Sequence, residues 1–446
     1  MKLIYDIYDK PSFKETIVFA FQQVLAILAA TITVPISVGH GMSTAAALFG
    51  AGAGTLIYLL FTKRRSPVFL GSSFAFIPSM NAAFAGAISA SAGFTGIIIG
   101  ALLAGLVYVI ISLIVKTVGV DWIEKLMPQS VIGPTVSVIG LGLAGSAISS
   151  LTSGITGEKS YIALLCGLVT LFVTIYCSTY GNMRTRTIPF IYGILAGYAV
   201  AAVFTLAGNL TGNDALLLTD FSAFTSLFEN GVSFSTFFSM PQFTFIEALQ
   251  GVKDIDAAYL GTVAVAYMPV AFVVFAEHLA DHKNISSIIN HDLLTDPGLN
   301  RTLLGDGVGS MVGAFFGGCP NTTYGESIAC VAISKNASII TIFTAAIECI
   351  ILSFLSPVVA FITTIPSCVM GGVCMVLYGF IAVSGLKMVQ KVDLESNRNL
   401  FVVSTILIAG IGGLTLSFGK ITVTNVACAL ILGICVNFFL SKEAKK

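Results

Sequence analysis

An all-α membrane protein of about 14 transmembrane segments, built as two inverted repeats of seven, is the fold this sequence predicts. Three observations predict it. Of 446 residues, 56% are hydrophobic and only 10% are charged, against roughly 25% charged residues in a soluble domain. Apolar runs of about 20 residues, the length that crosses a bilayer as a helix, recur from one end to the other. Two further runs, too short to cross as plain helices, fall third and tenth in order, so each holds the same place in its half. Seven is odd, and the second half therefore threads the membrane in the opposite sense to the first.

In chain order the long runs are 15–39, 42–61, 92–116, 130–149, 161–180, 187–206, 257–280, 305–318, 338–363, 368–386, 400–418 and 421–440. The polar stretch before the first run and the length of that run speak against a cleavable signal peptide. The short runs are 67–80 and 319–334. About 15 helical residues reach only ~22 Å, short of a ~30 Å hydrocarbon core. Roughly five extended residues followed by ten helical ones reach ~31 Å. Both short runs read that way, VFLGSS before FAFIPSM and CPNTT before YGESIACVAIS. Two short antiparallel strands, Ser72-Ser73 and Thr322-Thr323, are expected there, because extended backbone at membrane depth survives only when buried in protein or lining a cavity.

Charge supports the count. With the N-terminus inside, only Lys159, Lys253 and Lys420 are left outside, and nineteen of the 22 Lys and Arg fall inside, among them Lys63, Arg64, Arg65, Arg184, Arg186, Lys335, Lys387, Lys391, Arg398 and the 442–446 tail. This is a strong positive-inside bias. Both termini are expected in the cytoplasm and the protein in the cell membrane. The phenylalanine-rich stretch 211–256 lies outside between the halves and reads as an extracellular linker with short amphipathic pieces.

Net charge is zero, so bulk charge points to no partner, nucleic acid included. The nine cysteines are scattered singly through apolar runs and the four histidines form no HExxH pair. No Gly-rich phosphate loop with a lysine is present. Metal and cofactor sites and enzyme chemistry have no foothold.

The polar residues at depth carry the functional reading. Acids inside a membrane are costly and mark solute or proton pathways. Glu277 ends one long apolar run and Glu326 follows the Pro-Asn-Thr-Thr-Tyr-Gly break in the tenth. If the strands pair, the half-helices begin at Phe74, after Ser73, and near Tyr324 and Gly325, with free N–H groups at their first turns. Those donors suit carbonyl oxygens, the two carboxylates suit ring N–H groups, and Phe74 suits the face of a flat heterocycle. Alternatively both glutamates simply bond across helices. Asp281 stands one turn after Glu277 on the same face; with His282 and Lys283 it reads equally as a solvated cytoplasmic charge. His278 points elsewhere and reads as a packed histidine. Gln22 and Gln23 either bind solute, orient Glu277 or hold helices together. Glu348, alone in an apolar run, is a protonated passenger or a second proton site.

The ordered set QQVLAILAATITVP, FLGSSFAFI, AEHLADH, DLLTDPGLNRTLLGDG, PNTTYGES and Met370-Gly371-Gly372 resembles the nucleobase-ascorbate transporter family of nucleobase–cation symporters, most closely its bacterial uracil permeases, over nearly the full length. The resemblance implies a core domain from 15–116 and 257–365 and a gate domain from 117–210 and 366–441. It implies base binding by Glu277, Glu326, Phe74 and the backbone near Gly325, with Ser73 and Tyr324 at the strand ends. It also implies coupling to a proton (sodium is the other candidate) and a homodimer through the gate domain. Three departures stand out. Gln22-Gln23 replaces a Gln-His pair, Asp281 replaces a histidine one turn after the eighth-segment glutamate, and Ser327-Ile328-Ala329 ending in Ser334 replaces Asn-x-Gly ending in Thr. They unsettle the proton route through Glu277, Asp281, Gln23 and Glu348 more than the binding site. The function implied is a uracil:proton symporter; the alternatives are a purine permease for xanthine, urate or guanine, and an anion transporter of similar fold.

Overall fold

Helix starts are written in the sequence. Ser12 and Glu15 form a capping box ahead of Phe13–Val38, and Ser43, Ser89, Ser160 and Asp256 each accept a first-turn N–H through the side chain, as N-cap residues do. A computed structural model describes residues 3–119, 121–229, 231–418 and 421–441; Lys420 and the 442–446 tail, both used in the orientation argument, lie outside the described residues. Among those described, eight helices are long and apolar enough to cross a membrane: Phe13–Val38, Thr44–Phe61, Ala90–Val118, Gln129–Thr152, Tyr161–Tyr180, Pro189–Thr211, Ala257–Ile289 and Ser367–Val389. Five shorter apolar helices, Phe74–Gly86, Gly325–Ser334, Ile339–Ser353, Asn397–Ile411 and Asn425–Leu440, accompany them. Leu299–Gly317 has a crossing's length, but Asn300, Arg301 and Asp306 lower its hydropathy. The protein is an all-α multi-pass membrane protein with short antiparallel strands.

The helices pack as two groups. Thr44–Phe61, Ala90–Val118, Ala257–Ile289, Leu299–Gly317 and Ile339–Ser353 pack on one another with Phe13–Val38, and Gln129–Gly142, Tyr161–Tyr180, Pro189–Thr211, Ser367–Val389, Asn397–Ile411 and Asn425–Ser441 form the other set. Both interrupted segments belong to the first group. Their strands, β1 (Leu70–Ser72) and β2 (Asn321–Thr323), pair antiparallel with Leu70 opposite Thr323, Gly71 opposite Thr322 and Ser72 opposite Asn321. The expected pairing of Ser72-Ser73 with Thr322-Thr323 is thus shifted: Ser73 lies just past its strand, where its N–H still bonds to the Pro320 carbonyl at 2.8 Å. Each strand is also tied to a neighbouring helix. Thr55 Oγ1 donates to the Leu70 carbonyl at 3.2 Å and accepts the Leu70 N–H at 2.9 Å, and Asn321 Nδ2 donates to the Gly50 carbonyl at 2.9 Å. Backbone groups at this depth are satisfied within the protein, as a lipid surround demands.

Several expected boundaries move. The run 305–318 is the last part of a helix that begins at Leu299. The run 338–363 is two helices broken near Phe354, beside Pro357. The runs 400–418 and 421–440 do not stay helical to their facing ends: Leu416–Phe418 and Ile421–Val423 form a second antiparallel pair, the choice of residues that alternate small polar with β-branched or aromatic side chains. The described residues of the 211–256 stretch form short helical pieces, among them Thr244–Gly251.

Candidate functional site

A cavity of about 410 Å³ lies where the two strands end and the half-helices begin, within the ~300–1,000 Å³ range of small-molecule sites. Ser73 and Phe74 come to it from one interrupted segment, and Thr322, Thr323, Tyr324, Gly325 and Glu326 from the other. Glu277 and Asp281, one turn apart on Ala257–Ile289, line it as well. All three acids are half-buried. All six residues expected to bind solute therefore meet in one place, although the paired strands that lead into the two half-helices are some 250 residues apart in sequence.

Local bonding explains how they are held. Tyr324 is buried, with its hydroxyl donating to the Ser72 carbonyl at 2.7 Å and its N–H to the Phe69 carbonyl at 3.2 Å. The ring thus clamps the strand pair while its backbone precedes the tenth half-helix. Neither half-helix is capped by a side chain: Ser73 and Tyr324 sit at the N-cap positions without a capping bond. Uncapped first-turn N–H groups at the positive ends of two facing helices are donors for an acceptor in the cavity. The Ser73 and Thr322 hydroxyls are buried without a partner. Phe74 lies edge-on to Tyr378, centroids 5.8 Å apart, and Tyr378 is bonded in turn to Ser37 at 2.7 Å.

Asp281 accepts a hydrogen bond from Thr323 Oγ1 at 2.8 Å. It is a wall of the cavity, which corrects its reading as a solvated cytoplasmic charge. That reading survives for exposed Lys283 and fails for His282, which is fully buried and bonded to the Tyr58 hydroxyl at 2.7 Å. His278 is buried as expected, bonded through Nδ1 to Asp306 at 2.7 Å and through Nε2 to Thr302 at 3.0 Å. Gln23 does not line the cavity. Its amide donates to the Ser327 hydroxyl and, at 3.3 Å, to the Ser327 carbonyl, fastening the first helix to the tenth half-helix; Ser327 Oγ also receives the Phe69 N–H at 3.0 Å. Glu348 stands apart on Ile339–Ser353, outside the cavity wall, one carboxyl oxygen buried without a partner. Sequence reasoning missed Asp306 and Tyr378, and met Ser327 only as a departure from a family pattern, not as the partner of Gln23. An acid inside LLGDGVG was the available signal for the first, lost because the helix was begun at Gly305. The other two carry no charge to betray them.

Comparison with known proteins gives the chain a family. The model of the Permease family (Xan_ur_permease) matches residues 14–418. The chain belongs to that family. Its relatives include the uracil permease of Bacillus caldolyticus, 37% identical over 98% of this chain and 95% of that one, the uracil permease of Bacillus subtilis (strain 168), 35% identical over 100% and 97%, and the putative pyrimidine permease RutG of Escherichia coli (strain K12), 33% identical over 98% and 91%. In fold, this permease is similar to the transmembrane domain of a cyanobacterium bicarbonate transporter, BicA, with TM-score 0.66 and 14% identity over 98% of this chain and all of that one. SLC26A9 is similar at TM-score 0.66 and 11% identity over 96% and 64%.

Proposed function

We propose that this permease imports a nucleobase, uracil in the first instance, together with a proton. The observation that carries the reading is the convergence of Glu277 and Glu326 on one cavity, opposite Phe74 and two uncapped helix ends. A flat ring with alternating C=O and N–H groups meets acceptors on one edge and backbone donors on another, with an aromatic ring against its face. The uracil permeases among its relatives support the same class of solute.

Protonated Glu277 binds the base, and loss of the proton toward the cytoplasm favours release. Proton and base then raise each other's affinity by the same factor. The two packing groups support a division into core and gate, with the core rocking against the gate around the midplane site. The cavity wall reaches Arg186, Thr187 and Pro189, on the side that the lysine and arginine bias assigns to the cytoplasm together with both termini, which supports reading this as an inward-facing state.

An anion exchanger is the weaker reading in spite of the shared fold. Among the described residues, three acids and one arginine line the cavity, a lining that repels anions. The test is uptake of labelled uracil into vesicles with and without an inward proton gradient, with unlabelled xanthine, urate and guanine as competitors. Gradient-driven uptake blocked only by uracil supports the proposal. Uptake indifferent to the gradient removes the symport step, and competition by purines alone changes the substrate.

A further inference from the structure

The Ala257–Ile289 helix has a second occupied face. Leu279 and Lys283 follow Glu277 and Asp281 by two residues, which places them about 200° around the helix. They line a separate cavity of about 420 Å³ together with Val115 and Lys116, at the end of Ala90–Val118, and Leu294 and Asn300. Among the described residues, no acid lines this cavity. Both lysines are exposed, and neither belongs to an ion pair among the described residues. The nearby acid Asp296 is engaged elsewhere, by Arg65 and by His291 at 3.3 Å. Two ammonium groups thus stand over a largely apolar cavity without an ion pair among the described residues.

The surface leading to the cavity is an exposed apolar stripe. Leu102, Leu106, Ile110 and Leu113 are all about half exposed, and their spacing of four, four and three puts them on one face of Ala90–Val118. From Leu102 to Leu113 the stripe is ~17 Å long, about one leaflet of a ~30 Å core, and it ends one turn before Lys116.

We propose that this cavity is the headgroup site of an anionic phospholipid of the inner leaflet. The phosphate lies between Lys116 and Lys283, and one acyl chain follows the Leu102–Leu113 track. A free phosphate shares the headgroup chemistry but has no use for the track, which is why the lipid is the occupant. The site backs onto the helical turn that presents Glu277 and Asp281. Lipid and solute therefore press on opposite faces of one turn, and the lipid tunes solute affinity, a consequence that rests on the solute reading above.

The test is native mass spectrometry of the full chain in neutral detergent, with phosphatidylglycerol and phosphatidylcholine added in equal amounts. Wild-type protein is expected to retain phosphatidylglycerol in preference. Lys116→Gln/Lys283→Gln should weaken that retention roughly 30-fold, at about a tenfold or less per lysine, while Lys63→Gln/Arg64→Gln on the same side leaves it unchanged. Equal retention of the two lipids, equal retention by wild type and the cavity variant, or an equal loss in the control variant overturns the site in favour of a diffuse basic surface. Displacement of phosphatidylglycerol by millimolar inorganic phosphate overturns the lipid assignment. Failure of uracil to bind would sink the proposed function and leave these lipid readings intact. Where uracil does bind, its affinity in phosphatidylglycerol and phosphatidylcholine nanodiscs measures the coupling.

Discussion

The two interrupted segments are laid out on one plan and furnished differently. Each runs through a three-residue strand into a short helix, and the strands pair antiparallel. Two residues past its strand, one segment carries Phe74 and the other Gly325. Next come Ala75 on one side and Glu326 on the other. The repeated frame supplies facing helix ends; the departures from repetition put a ring on one side of the cavity and a charge on the other, the two groups to which the proposed function gives recognition. The largest expected effect follows from removing the charge. Glu326→Gln replaces an acceptor-only group with one that presents N–H donors to the N–H edge of the base. Hydrogen bonds to charged groups contribute ~1.5–3 kcal/mol each, so with both carboxylate bonds to the base lost, uracil affinity, measured calorimetrically, should fall at least about 100-fold with thermal stability unchanged. Unchanged affinity would mean that the solute sits elsewhere.

Two glycines sharpen the contrast between frame and furnishing. Gly71 belongs to the frame: a methyl group there would run into the Tyr324 ring, the side chain that clamps the strands. Gly325 belongs to the site, where a methyl group would meet nothing within 4 Å. Gly71→Ala should therefore cost stability, ~1–3 kcal/mol as overpacking does, seen as a lower melting temperature, with affinity falling as Tyr324 is displaced. Gly325→Ala should leave the melting temperature alone and weaken base binding by narrowing the cavity. Reversal of the two outcomes would break the division between frame and site.

What could be read from the sequence was what membrane physics makes expensive. The strands were visible because runs of about 15 residues cannot span the hydrocarbon core as helix, and Glu277 and Glu326 were visible because acids at depth demand a reason. The register was not visible, since Ser72, Ser73, Thr322 and Thr323 are alike in size and polarity and any of several pairings buries them. Nor were the strands at Leu416–Phe418 and Ile421–Val423, whose apolar residues read equally well as the ends of helices. Gln23 shows the same limit. Its place at depth was evident, but its partner Ser327 lies 304 residues away, and no local pattern names a partner at that distance. Asp306 is the instructive miss. It obeys the same rule as Glu277, and only a misplaced helix start concealed it, so the rule is sounder than its application was.

The smallest effect tests the aromatic side of the comparison. Phe74 belongs to the helix group that holds both strands, whereas its edge-on neighbour Tyr378 belongs to Ser367–Val389 in the other group. Stacking of a ring on a ring adds only ~0.5–1.5 kcal/mol beyond area burial. Phe74→Leu, which keeps most of the apolar bulk, should thus weaken uracil binding by roughly two- to tenfold. Tyr378→Phe keeps both rings and removes only the hydroxyl, with its bond to Ser37 and its contacts to Cys374 and Ser146, so its affinity should stay within a factor of about five, the worth of one ordinary hydrogen bond. The pair separates two roles for the ring. If Phe74 acts by lying against the base, the Leu variant is the weaker binder of the two. If it acts only by bridging the groups through Tyr378, the two variants should alter the uptake rate and leave equilibrium affinity alike, and the aromatic wall would have to be struck from the site.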